Sequence, residues 1–379
     1  MTTPRAATAP RPILLLVGSL ERDGAETQLV MLAKRLQEWG WPVRIVAMLP
    51  IDAFGDELDG LDVHFLGMRR RGVNTTAIRR FLRLAGEQRP AALVSFTYPA
   101  NLFGRLAGRF ARIPVIVSSI RGERVGGRAK ELAMRATARL DSVTTTNSSR
   151  VARSLMERRL VAGRRVEVIP NGVDLRRFAG VADARDRVRA AIGVPEGAFV
   201  WLAVGRLEPV KDYPNVLRAM TRLTRAPAHR LYIAGGGSQR ADLERLATAL
   251  RVSERVTFLG ARSDVPTLLA AADALVLPSA NEGMPNALME AFAAGTPAVA
   301  TDVGGVREIL VSGESGFVVP PGDAAALAAA MDRLMQLPPS ALRELGASGR
   351  EHVERRFSVA AMAGRWRDLL TSEIASRSG

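Results

Sequence analysis

Two cations and two carboxylates in the second half of this 379-residue chain are spaced as a phosphate ester next to a polyhydroxyl group would need them. The apolar run Phe199–Val204 reads as a β-strand and leads into Gly205-Arg206-Leu207-Glu208-Pro209-Val210-Lys211. Ligands of open α/β sheets bind beyond the carboxyl ends of parallel strands, which is where Arg206 and Lys211 would stand. An Arg offers a planar fork to phosphate oxygens and a Lys a compact point charge, so the pair suits a departing diphosphate. Two solvated loop cations would look the same if this segment stood alone. A second strand, Ala274–Leu277, runs into Pro278-Ser279-Ala280-Asn281-Glu282-Gly283-Met284-Pro285-Asn286-Ala287-Leu288-Met289-Glu290. Pro285 fits the first turn of a helix and Gly295 its stop. The free amides of Asn286, Ala287 and Leu288 would then face Arg206 and Lys211, and a helix N-terminus favours anions. Glu282 falls ahead of that helix and Glu290 inside it. A carboxylate accepts two hydrogen bonds from neighbouring sugar hydroxyls, so the pair suits a hexose and a ribose. Equally, Glu290 could pair with a surface Arg and Glu282 could cap the helix.

The first half offers a Gly-containing turn, Gly18-Ser19-Leu20-Glu21-Arg22-Asp23-Gly24-Ala25-Glu26, between the strand Ile13–Val17 and a helix whose Leu29, Leu32, Ala33 and Leu36 repeat at helical spacing before Gly40. Gly24 and Ala25 are small enough for a ligand to approach the backbone. A plain βα turn explains them as well, and the spacing departs from the G-x-G-x-x-G of dinucleotide sites.

The elements that must position these residues are strands alternating with helical-period segments, the mark of parallel sheets built from βα units. The remaining strands are expected at 43–48, Ala92–Phe96, 115–119, 142–146 and 166–169 in the first half, and at 231–234, 256–258, 298–300 and 317–319 in the second. Two doubly wound, Rossmann-like domains follow, at 1–180 and 181–358. The break is placed where Pro170-Asn171-Gly172 interrupts the pattern and the charged stretch 182–189 follows. Residues 359–374 form one more helix, with Met362, Trp366, Leu369 and Leu370 on an apolar stripe. It is expected to pack back toward the N-terminal domain.

Composition narrows the class. At 47% hydrophobic and 24% charged residues the chain can bury real cores. With no cysteine it has no disulfide and no thiolate nucleophile. No apolar run approaches the ~20 residues of a membrane span, and no secretion signal is visible, so a cytoplasmic location is expected. The net charge of +15 is uneven: residues 1–180 hold 30 Lys+Arg against 16 Asp+Glu, and residues 181–379 hold 23 against 22. A nucleic-acid binder would also be basic, but no zinc motif, basic zipper or aromatic RNA signature accompanies the arginines. The clusters are Arg69-Arg70-Arg71 with Arg79, Arg80 and Arg83, then Arg105, Arg109 and Arg112, then Arg121, Arg124, Arg128 and Lys130. On a helix starting near Thr75, Arg79, Arg80 and Arg83 beside Phe81 and Leu82 would form a basic amphipathic face. Such a face suits peripheral, salt-sensitive contact with an anionic membrane, although ordinary solvated Arg is the alternative.

Taken together, Val204-Gly205-Arg206-Leu207 with Lys211, the Glu282/Glu290 pair, Glu290-Ala291-Phe292-Ala293-Ala294-Gly295-Thr296-Pro297, Thr301-Asp302-Val303-Gly304-Gly305, Gly313, Gly316 and Pro170-Asn171-Gly172-Val173-Asp174 resemble glycosyltransferase family 4 of the GT-B fold. The likeness is dense from Pro170 to Val319 and sparser before it. It implies retaining, metal-independent transfer of a hexosyl-type sugar from a nucleoside diphosphate sugar, with a UDP-sugar the first expectation, to a glycan or lipid-linked acceptor. No cofactor is implied. Arg206 and Lys211 would neutralise the diphosphate, Glu282 would contact the sugar near its reacting carbon, and Glu290 would bind the ribose. Gly205, Gly283, Met284 and Pro285 would complete the donor site with Asn286, Ala287 and Leu288, while Gly235, Gly236 and Leu259 would receive the base and ribose. Gly24 would let the N-terminal backbone approach the donor phosphate.

Two departures stand out. The first Gly of the family's N-terminal turn is Asp23 here, and a His common after the fifth expected strand is replaced by Ile120-Arg121-Gly122-Glu123. The resemblance then implies either a looser backbone approach at Asp23 or a contact of its carboxylate with the acceptor, and a His role that is either absent or taken by Arg121 or Glu123 on the acceptor or sugar side. Competing readings are a nucleotide-sugar epimerase or sugar phosphorylase on a similar scaffold, and a basic polyanion-binding protein with a degenerate transferase fold.

Overall fold

In the computed structural model, residues 11–69, 74–123, 126–161, 166–223 and 228–378 are described. The chain forms two compact units, residues 1–172 with 359–379, and residues 173–358. The first holds a seven-stranded parallel sheet: β1 (Ile13–Val17), β2 (Val43–Ala47), β3 (Asp62–Phe65), β4 (Ala92–Phe96), β5 (Val115–Ile120), β6 (Val143–Thr146) and β7 (Val166–Val168). Its order is β3-β2-β1-β4-β5-β6-β7. The second holds six parallel strands: β8 (Phe199–Val204), β9 (His229–Ala234), β10 (Val256–Gly260), β11 (Ala274–Leu277), β12 (Ala298–Thr301) and β13 (Gly316–Val319), ordered β10-β9-β8-β11-β12-β13. Both sheets wind outward in two directions from one place, between β1 and β4 in one unit and between β8 and β11 in the other. The crevice at such a switch point is where open α/β sheets hold ligands.

The central strands are unbroken apolar runs because helices cover both faces; β1 and β4 are buried along their whole length. The strand β3, Asp-Val-His-Phe, is absent from the sequence reading. It is a short edge strand with no fully buried residue, so it lacks the apolar signal that marks the others.

The unit boundary also differs from the expected 180. Residues 173–180 belong with the second unit: the Val173 amide donates to the Phe357 carbonyl at 2.7 Å, and Phe178 is buried in that unit's core. The final helix, Val359–Ser378, belongs to the first unit. It packs against the helix Gly24–Glu38, burying Met362, Trp366, Leu369 and Leu370, and Trp366 stacks on Phe96 at 5.7 Å.

The basic clusters are not uniformly on the surface. Arg105 is wholly buried, and its Nη2 lies 2.6 Å from Asp141 Oδ2. The Ser118 and Thr144 hydroxyls complete the carboxylate's shell at 2.7 and 3.2 Å, while the Met134 carbonyl accepts from Arg105. Arg121 is likewise largely enclosed. The helix Thr75–Gln88 starts where expected and exposes Arg79, Arg80 and Arg83, but Phe81 is in the core, so the face carries less apolar surface than its sequence suggests. Arg70, Arg71 and Arg124 lie outside the described residues.

Removing one partner of a buried ion pair leaves an uncompensated charge, at a typical cost of about 3–5 kcal/mol. Asp141→Ala is therefore expected to destabilise the first unit by about that much. Urea unfolding followed by tryptophan fluorescence would measure it, since Trp39, Trp41 and Trp366 all lie in that unit. A loss below about 1 kcal/mol would show that the pair does not hold the helix Tyr98–Phe110 to the sheet.

Candidate functional site

The loops at the carboxyl ends of β8, β9, β11 and β12 are locked to one another by backbone. The Gly205 amide donates to the Ala234 carbonyl at 3.0 Å, Leu207 to Gly236 at 2.8 Å, and Gln239 to Leu207 at 3.0 Å. A Cβ on Gly235 would lie 1.9 Å from the Gly205 carbonyl oxygen, so only glycine permits this approach. The Gly235 amide in turn donates to the Gly260 carbonyl, just after Leu259 on β10. On the other side, Ala280 donates to the Val210 carbonyl at 2.9 Å and Gly305 to Gly283 at 2.7 Å. Gly304 has φ +49°, and a Cβ there would sit 2.4 Å from the Glu282 carbonyl oxygen. Thr301 Oγ1 donates to the Ser279 carbonyl at 2.6 Å.

This frame brings Lys211 and Glu282 into direct contact. Lys211 Nζ lies 2.6 Å from Glu282 Oε1, with the two side chains 20% and 11% exposed. Ser279 Oγ donates to the same oxygen at 2.7 Å. The lysine stem passes along Gly205, where a Cβ would come within 3.3 Å of Lys211 Cε. Glu282 Oε2 has no hydrogen-bond partner among the described residues, so the carboxylate is fixed through one oxygen and open at the other. Arg206, next to Gly205 in the same loop, is exposed and makes contacts of its own.

Two more residues join the site without having been singled out. Tyr213, nearly fully buried, donates its hydroxyl to the Gly205 carbonyl at 2.8 Å, and burial, aided by the Glu282 charge, raises its pKa. Ser279, whose hydroxyl holds Glu282 Oε1, carries no role in the sequence reading. A serine three residues before a glutamate was the available signal.

Pro285 does not enter the first helical turn. With φ −73° and ψ 115° it is the extended cap that precedes the helix Asn286–Ala293, an equally good use of a residue without an N–H. Asn286, Ala287 and Leu288 then supply the first-turn amides. Met284 and Leu288 are buried beneath them, and Gly295, at φ +77°, follows the helix end. Glu290 is half-buried as a residue while its carboxyl is enclosed by protein. Burial pushes its pKa up, and Arg177 opposes that shift.

The first unit carries the other candidates separately. Asp23 is the extended cap of the helix Gly24–Glu38, which follows β1 beside the switch point, and its carbonyl accepts from the Thr27 amide and hydroxyl. Arg121 follows β5. Its guanidinium lies over the Phe96 ring at 5.1 Å and donates to Asn171 Oδ1. Burial lowers its pKa to about 10, against the pull of Glu26. Gln28 holds Gly172 through both of its amide atoms, at 2.7 and 2.8 Å. Glu123 instead faces Arg150, 3.0 Å away, so the two residues offered for one role have different surroundings.

A doubly wound sheet with a fixed cation–carboxylate pair, a second cation in the same loop and a helix N-terminus at its switch point places the chain in the class of α/β proteins whose ligand crevice lies at the strand ends. The comparisons narrow that class. Residues 184–352 match the family model described as Glycosyl transferases group 1, and residues 22–177 match that of Glycosyltransferase Family 4. A GDP-mannose-dependent alpha-(1-6)-phosphatidylinositol monomannoside mannosyltransferase of Mycolicibacterium smegmatis is 31% identical over 80% of this chain and 82% of its own. The UDP-Gal:alpha-D-GlcNAc-diphosphoundecaprenol alpha-1,3-galactosyltransferase of Escherichia coli is 26% identical over 73% and 74%. Some other relatives align over only about half to three fifths of their own length. The fold matches that of Anabaena HepE, solved in complex with UDP-glucose, with a TM-score of 0.82 and 23% identity over 96% of this chain and 100% of that one. The chain belongs to glycosyltransferase family 4 and has the GT-B fold.

The buried Glu290 carboxyl gives a prediction independent of the reaction. Its proton is held more tightly in the folded chain than in the unfolded one. Its ionisation therefore costs stability as pH rises through the raised folded pKa, and costs nothing below the ordinary glutamate range. Glu290→Gln is expected to raise Tm at neutral pH and to match the wild type in acid. Thermal melts across pH test this, and a Tm difference independent of pH would show that charge is not what the site penalises.

Proposed function

We propose that this glycosyltransferase moves a hexosyl-type sugar from a nucleoside diphosphate sugar, with a UDP-sugar as the preferred donor, to a glycan or lipid-linked acceptor. Transfer retains the anomeric configuration and needs no divalent metal. The observation that carries the reading is the Lys211–Glu282 pair at the strand-end switch point, with Arg206 in the same loop after β8 as Lys211. The relatives named above supply the chemistry: one is UDP-galactose dependent, one GDP-mannose dependent, and one was solved with UDP-glucose.

In this mechanism the bond between the anomeric carbon and the diphosphate oxygen breaks with its electron pair going to the diphosphate. The acceptor hydroxyl oxygen attacks the same face, and its proton passes to the departing phosphate oxygen. Arg206, Lys211 and the first-turn amides of Asn286, Ala287 and Leu288 stabilise the charge that grows on the leaving group, which a fixed electrostatic frame does without reorganisation. Glu282 accepts from a sugar hydroxyl at Oε2 while Ser279 and Lys211 hold Oε1. Glu290 accepts from the ribose hydroxyls, and Gly235, Gly236 and Leu259 flank the base. The sequence contains no Asp-x-Asp, and the two cations meet the charge that a metal would otherwise meet.

The acceptors in the relatives' names include a diphosphoundecaprenol and a phosphatidylinositol glycolipid. On this reading the protein works at the cytoplasmic face of a membrane, with its basic first unit bound peripherally to anionic lipid. No helix among the described residues is long and apolar enough to cross a membrane.

Arg206→Ala and Lys211→Ala are each expected to lower kcat on the order of 100-fold with the fold retained, as loss of one preorganised charge does. Near-native turnover in either folded variant would remove that residue from the leaving-group site. Transfer is expected to persist in chelator; a complete loss restored by a divalent ion would overturn metal independence. Glu282→Gln is expected to lower kcat and Glu290→Ala to raise the donor KM, because one contact belongs to the reacting sugar and the other to uniform binding. Steady-state kinetics with varied donor separate the two, and the opposite pattern would exchange their roles.

A further inference from the structure

Some arginines of the first unit are compensated, by a carboxylate as at Arg105 or by a carbonyl as at Arg80. Among the described arginines of the first unit without such a partner, four converge. Arg109, Arg112, Arg139 and Arg377 line one pocket of about 360 Å³. None of their side chains has a hydrogen-bond or ion-pair partner among the described residues. The carboxylate in the pocket wall, Asp141, is already committed to Arg105, Ser118 and Thr144. Four uncompensated guanidinium groups around one concavity repel one another, and a phosphate, which accepts paired donors from planar forks, removes that repulsion.

The pocket lies beneath the start of β5, at Ile113 and Pro114, and before β6, at Leu140 and Ser142. In this parallel sheet that is the end opposite Gly24 and Arg121. The donor-site residues therefore do not account for it. Its surroundings indicate the kind of phosphate. Phe110 is 77% exposed and Leu106 52%, one turn apart on the helix Tyr98–Phe110 that also carries Arg109. Leu132, 67% exposed, projects from the helix Arg128–Thr137 packed against it. Large apolar side chains left in water beside a cationic pocket suit the boundary between headgroups and acyl chains better than a soluble anion.

We propose that this pocket binds the phosphate of an anionic phospholipid headgroup while Phe110, Leu106 and Leu132 enter the adjoining acyl boundary. The proposal rests on the membrane reading above and relocates the contact from the helix Thr75–Gln88 to this pocket.

The test is sedimentation of the full chain with vesicles of phosphatidylcholine alone or mixed with phosphatidylglycerol. The wild type is compared with Arg109→Ala/Arg139→Ala, Arg79→Ala/Arg83→Ala and Leu106→Ser/Phe110→Ser, each checked for a native melt. The expected result is binding to the mixed vesicles only, weakened on the order of tenfold or more by the pocket pair and clearly less by the charge-matched pair Arg79/Arg83. The apolar pair should also weaken it. Equal losses from both arginine pairs would mean diffuse attraction, overturning the pocket while leaving the membrane reading in place. Unchanged binding by the serine variant would overturn insertion. If glycerol 3-phosphate stabilises the wild type as strongly as vesicles do at matched phosphate, the ligand is soluble and the lipid assignment falls. Failure of the wild type to bind anionic vesicles at low salt would overturn the membrane reading itself.

Discussion

A side chain on Gly235 would place its first carbon 1.9 Å from the Gly205 carbonyl oxygen, and the candidate site depends on that contact being possible. It lets the turns after β8 and β9 lie against each other as though the sheet continued past its last hydrogen bonds. Gly205 then leaves room for the Lys211 stem, and the Tyr213 hydroxyl donates to the Gly205 carbonyl. Gly304 does the same for the loop that carries Glu282, pressing on its backbone where no side chain would fit. Function sits in side chains on loops, but their precision comes from close backbone approach that only glycine allows.

What that frame holds is an ion pair that does not have to be stable for its own sake. A partly exposed lysine–carboxylate contact contributes little to folding. Its value here is geometric: Glu282 is held through one oxygen by Lys211 and Ser279, and the other oxygen is aimed elsewhere. The contrast with Arg105–Asp141 is instructive. That pair is wholly buried with every partner supplied, and it organises the packing of the first unit. The same charge types therefore do two jobs, and burial together with the number of partners tells them apart.

Much of the architecture was legible in the sequence because unbroken apolar runs and helical spacing report local burial. Twelve of the strands come from such runs, and β3 is missed because an edge strand with Asp62 and His64 in it carries no such signal. The candidate residues at strand ends were legible by type: Arg206, Lys211, Glu282 and Glu290 fall in short, chemically informative segments. Their mutual arrangement was not. Lys211 and Glu282 are 71 residues apart, and nothing local says that they touch. Arg105 reads like any other arginine until the fold brings Asp141 to it. The unit boundary was misplaced for the same reason, since the pairing of Val173 with Phe357 joins distant parts of the chain.

Glu290 shows why a site can also conflict with the fold around it. Burial around the Glu290 carboxyl raises its pKa, so the folded chain disfavours the charged form relative to water. Replacing it with a neutral residue of the same shape would relieve that penalty. Arg177 offsets the cost only in part, because desolvation remains the larger effect. A carboxyl whose burial disfavours its charge marks a candidate functional position. On the proposed function, vicinal hydroxyls would be the ligand at that position: they would donate to both carboxylate oxygens and supply in the complex the hydrogen bonds that burial takes from water. The same enclosure that makes the empty carboxyl costly makes those bonds stronger once formed, since a hydrogen bond in a low-dielectric surrounding is not competing with solvent.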